Sequence, residues 1–117
     1  MSENPLTLLH DRLNSEGSSP SLNADLEAAV VARRSVRGGH RDWALLCEQA
    51  GLMSLAFSEF QLALRDDRDD PVAGSHLAQL YRERGDTSRV LGLLDRLLQQ
   101  QPANESWLES YVETLSV

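Results

Sequence analysis

Three glycines, Gly17, Gly51 and Gly85, stand 34 residues apart, and most apolar positions around them return at the same step. A fixed interval of this length marks a helical solenoid, built from helix pairs that cannot bury their apolar faces alone. At 117 residues the chain has room for about three such pairs in one compact domain.

Aligning on the glycines gives units of 3–36, 37–70 and 71–104, with 105–117 left over. One column reads Leu9, Trp43, Leu77 and Tyr111; four residues on, the next reads Leu13, Cys47, Tyr81 and Leu115. A spacing of four puts both on one face of the first helix of each pair. The second helices carry Leu22, Ala56 and Val90; Leu26, Phe60 and Leu94; Ala29, Ala63 and Leu97; and Val30, Leu64 and Leu98. No charged residue enters any of these columns.

The punctuation agrees with the columns. Gly51 and Gly85 fall where a first helix must stop and reverse, and glycine takes the left-handed conformation there without steric cost. Asp86 is placed to cap the next helix. Ser19-Pro20 and Asp70-Pro71 read as a cap followed by proline at the first helical position. Pro102 closes the third pair, and Asn104 can cap the final helix.

The order Leu77-Ala78, Tyr81, Gly85-Asp86, Val90, Leu94, Leu97-Leu98 and Pro102 resembles the tetratricopeptide repeat. Trp43-Ala44, Gly51, Ala56, Phe60 and Ala63-Leu64 resemble it too, with departures at Cys47 and Arg68. The first unit fits in outline only, because His10, Leu13, Leu22 and Arg34 replace the family's residues. The resemblance implies an all-α, right-handed superhelical solenoid of antiparallel helix pairs, about seven helices over a single domain, 1–117. Ala44, Ala56, Ala63 and Ala78 are then the small residues that let helices approach, where a larger side chain would overpack.

Charge and composition exclude several classes. The apolar fraction, 41%, suits a thin solenoid with much surface per residue. The net charge of −7 disfavours non-specific binding to nucleic acid or anionic membrane. All eleven basic residues are arginine, which fits a GC-rich codon bias or a use of bidentate contacts. No apolar run approaches the roughly 18 residues of a membrane span, and Met1-Ser2-Glu3-Asn4-Pro5 does not read as a signal peptide. A cytoplasmic location is the default expectation. Asn104-Glu105-Ser106 fits a glycosylation acceptor but reads as a helix start.

A search for catalytic groups finds none. His10, His40 and His76 lie in different units, with no metal-binding spacing. His40 and Cys47 can share a helix face, but two ligands do not hold zinc, and Cys47 occupies a core column. Asp66-Asp67-Arg68-Asp69-Asp70 lacks the glycine and closing glutamate of a calcium loop, and reads as a solvated link with Asp70 as a cap. Arg33, Arg34, Arg37 and Arg41 form the one basic concentration. They lack interleaved aromatics for base stacking, and a helix C-terminus attracts such cations through its dipole. No cofactor or metal is expected, and the chain reads as no enzyme.

The resemblance further implies a concave groove lined by the first helices: Thr7, Asp11 and Asn14; Arg41, Leu45 and Glu48; Ser75, Gln79 and Arg82; Glu109 and Glu113. The family's lysine and asparagine clamp for a terminal carboxylate is not reproduced at Thr7 and Asp11. The last helix carries Trp107, Leu108, Tyr111, Val112, Leu115 and Val117, wider than one neighbour can cover. A natural continuation of the chain, a second copy, a partner or fraying of the last turn would each explain it.

The expected function is a non-catalytic protein-interaction scaffold that holds a partner segment in the groove or against the last helix. Arg41, Leu45, Gln79, Arg82, Trp107 and Tyr111 are the expected contacts, with a homodimer through the final helix as one form of partner. The alternative is an N-terminal accessory domain of a larger enzyme, one acting on nucleic acid among the options.

Overall fold

The computed structural model describes residues 4–116. Among them are seven α-helices and no strand: α1 (Pro5–Glu16), α2 (Pro20–Ala32), α3 (His40–Gln49), α4 (Met53–Asp66), α5 (Pro71–Glu83), α6 (Thr87–Gln100) and α7 (Glu105–Leu115). None is long and apolar enough to cross a membrane.

Five of the helix starts have a local cause in a side-chain cap. Asn4, Ser19, Asp70, Asp86 and Asn104 stand at the N-caps of α1, α2, α5, α6 and α7, each accepting from a free backbone amide. Pro5, Pro20 and Pro71 follow their caps at the first helical position, where a missing N–H costs nothing. By contrast, α3 begins behind Gly39 with no side-chain cap.

The two central reversals share one geometry. Gly51 (φ +82°) donates to Glu48 O, and Leu52 donates to Cys47 O at 2.8 Å. Gly85 (φ +74°) repeats this, donating to Arg82 O while Asp86 donates to Tyr81 O at 3.0 Å. This paired bonding satisfies the last carbonyls of α3 and α5.

The chain divides into two compact units, Met1–Asp66 and Asp67–Val117. In the first, α1 packs on α2 and α3 packs on α4, while α1 also meets α3 and α2 meets α4. Its core is Leu9, Leu13, Leu22, Leu26, Val30, Trp43, Cys47, Ala56 and Phe60. Burying each leucine or phenylalanine stabilises by about 1.5–3 kcal/mol.

In the second unit α6 packs on α5 and on α7. Val90, Leu94 and Leu97 form its centre, with Tyr81, Trp107 and Tyr111 laid half-buried against them. Gly74 brings α5 close to α6: a Cβ there would stand 3.1 Å from Leu97 Cδ2. The final helix departs from the column pattern. Thr114 is buried and Leu115 is 60% exposed, because Trp107 and Tyr111 set the inward face and Thr114 continues it.

Candidate binding grooves

Each unit has a groove between its first-of-pair helices. In Met1–Asp66 it is lined by Leu6, Thr7 and His10 of α1 and by Asp42, Leu45, Leu46 and Gln49 of α3, with a volume of about 300 Å³. Gln49 Nε2 donates to Asn14 Oδ1 at 3.0 Å, tying the two helices at one end. Thr7 and Leu45 therefore meet here. Arg41 is exposed beside Asp42, 3.6 Å away, and is not part of the lining. Asp11 is exposed and outside it.

In Asp67–Val117 the groove runs between α5 and α7. Ser75, Gln79 and Arg82 face Ser106, Trp107 and Ser110 across a floor that includes Ala78, Val90 and Leu94, enclosing about 160 Å³. A second cleft of about 270 Å³ lies on the other side of Arg82, lined by Gly85, Thr87, Val90, Glu113 and Thr114. Gln79, Arg82 and Trp107 are thus brought together. Tyr111 packs against the core cluster and lines neither space.

Among the described residues, Arg82 is the only ionised side chain lining the first of these spaces. Its Nη2 donates to Ser110 O and to Thr114 Oγ1, both at 2.8 Å, so the guanidinium is held by α7. Thr114 Oγ1 in turn donates to Ser110 O. Nη1 meets only an exposed carboxylate, Glu113, at 3.4 Å. One edge of the fork is anchored and the other is loosely engaged, which suits recognition of a carboxylate.

The basic run before α3 is tied down locally. Arg33 lies over the Trp43 ring, 5.5 Å from its centroid, and donates to Gly38 O. A Cβ on Gly39 (φ +76°) would stand 3.0 Å from the Arg33 guanidinium. Arg37 lies 3.6 Å from Asp66. Asp66 accepts from Gly38 N at 2.8 Å and pairs with Arg65. That backbone bond, then Arg65, holds the Asp66 carboxyl below the usual range.

Beneath this loop lies a polar pair. His40 and Glu59 have fully buried side chains, and His40 Nδ1 is 2.9 Å from Glu59 Oε1. The other ring nitrogen bonds Val36 O. A carbonyl only accepts, so Nε2 carries a proton, and one further proton is shared between Nδ1 and Glu59. Glu59 Oε2 is buried with no hydrogen-bond partner among the described residues. Nearby Cys47 is fully buried; burial first, then the Glu59 charge, pushes its thiol up to about 12. A thiol so protonated and enclosed is no nucleophile. No group of three or more His, Cys, Asp or Glu among the described residues is arranged to hold a metal ion.

No protein-family model, no curated protein and no solved structure matches the chain.

Proposed function

We propose that the chain is a non-catalytic protein-interaction scaffold of the tetratricopeptide type. In this reading its helix pairs wind as a right-handed superhelix and an extended partner segment lies along the first helices. The 34-residue interval supports it, as do the matching reversals at Gly51 and Gly85 and the packing of first helix on first helix in Met1–Asp66. The grooves, about 160–300 Å³ each, reach at most the low end of small-molecule sites and fit one or two side chains apiece. A peptide supplies side chains at that scale.

The observation that carries the proposal is Arg82, fixed through Nη2 and engaged through Nη1 only by the exposed Glu113, a carboxylate that a partner's acidic side chain can displace. The partner segment accordingly presents an acidic side chain to Arg82 and an apolar one to Trp107. Display selection of random peptides on the wild-type chain tests this. Selected peptides should share an acidic residue beside an apolar one and bind an Arg82→Gln chain about tenfold or more weakly, the loss of one charge-assisted contact. Selection that enriches no sequence, or peptides indifferent to Arg82→Gln, would overturn the reading.

A further inference from the structure

The outer face of α7 carries a second surface, independent of the groove. Leu108, Val112 and Leu115 are 41%, 60% and 60% exposed. Their spacing of four and three residues aligns them within about 60° on the helix. Trp107 and Tyr111, centred about 90° round the helix from this stripe, pack into the core of their unit. The stripe flanks that packed face and is left uncovered by the described residues.

One border of that stripe is acidic. Glu105 precedes Leu108 by three residues and Glu109 precedes Val112 by three, the spacing of surface neighbours on a helix. Both glutamates are exposed. Glu113, the next in the row, turns toward Arg82. From Ala103 to Val117 there is no lysine, arginine or histidine to offset them. A second copy laid antiparallel would bring both acidic borders to the same edge of the interface with no basic residue of this helix to meet them, which costs affinity.

We propose that this face docks an amphipathic helix of a different protein, its apolar ridge bordered by arginine or lysine. Leu108, Val112 and Leu115 supply the buried contact. Glu105 and Glu109 select the basic border and fix the direction of the docked helix.

The test uses the full 117-residue chain and two synthetic helical peptides. Both carry leucine at i, i+4 and i+7; one is bordered by arginine and its twin by glutamate. Fluorescence anisotropy should show the arginine peptide binding, more weakly as salt rises, and the glutamate twin at least about tenfold weaker. Glu105→Lys with Glu109→Lys should reverse that order, and Val112→Asp should abolish binding of both. These side chains are exposed, so unchanged thermal melting by circular dichroism confirms that each variant is folded. Equal binding of the two peptides, or an order unmoved by charge reversal, overturns the proposal. So does failure of both to bind; sedimentation showing a dimer dissociated by Val112→Asp would then make a second copy the occupant.

Discussion

The His40–Glu59 pair shows what one buried proton does for a helical core. With Nε2 committed to Val36 O, the pair is neutral overall whether it is written as imidazolium and carboxylate or as imidazole and carboxylic acid. Removing the histidine destroys that balance and leaves a carboxyl whose Oε2 already has no partner among the described residues. His40→Ala should therefore destabilise by about 3–5 kcal/mol. Glu59→Gln keeps a donor to Nδ1 of a neutral ring, and should cost no more than about 1.5 kcal/mol, the worth of one ordinary hydrogen bond. Urea unfolding of the two variants decides: equal losses would remove the shared-proton account. The sequence reading missed this pair, although one member leaves a signal. Glu59 falls three residues after Ala56 and four before Ala63, so the helical period alone places it on a buried face. Its partner was not legible, because the repeat misleads at both positions: 34 residues on stand Gly74 and Leu93, one bare and one apolar. A polar pair confined to one repeat leaves no trace in a column.

At the level of elements, ends were easier to read than faces. Caps and left-handed glycines act through neighbours in the chain, and Ser19, Gly51, Asp70, Gly85, Asp86 and Asn104 all perform there as their local chemistry dictates. A paired substitution separates conformation from space. Gly85 has φ +74° and nothing within 4 Å of an added Cβ, while Gly92 has equally open surroundings inside α6 and no positive φ. Gly85→Ala should destabilise by about 1–2 kcal/mol, the cost of left-handed backbone for an L residue. Gly92→Ala should stabilise by about 0.5–1 kcal/mol, since alanine loses less freedom in a helix interior. Calorimetric melting should move in opposite directions; a shared sign would refute the turn assignment. The outward face of α7 was harder to read, because it depends on what lies across from it. Extending the Tyr111 column by one turn leads to Leu115, whereas Thr114 is drawn inward, where its hydroxyl serves both Ser110 O and Arg82. The exposed apolar residues are accordingly Leu108, Val112 and Leu115, and not the aromatic pair.

Across the whole molecule, the excess of carboxylates makes acid the informative perturbation, and each compact unit has one carboxylate tuned by its fold. Asp66 is held low by the Gly38 amide and then by Arg65. Asp86 is held low by its bond to the Arg89 side chain, whose nitrogen lies 2.6 Å away, and also by its cap bond to the Arg89 amide. For a carboxylate with a depressed folded pKa, the unfolded chain takes up its proton first as pH falls. Its contribution is thus complete above the unfolded value, about 3.9, and is lost as pH drops through the folded one. Urea midpoints followed by circular dichroism should stay flat from neutral pH to about 5 as far as these two groups are concerned, and fall steeply below about 4. Asp66→Asn and Asp86→Asn should each lower the midpoint at neutral pH and reduce the steepness of the acid decline. An acid slope identical in the wild type and in the double variant would mean that the decline comes from the remaining carboxylates acting together, and that neither the Gly38 loop nor the α6 cap is held by charge.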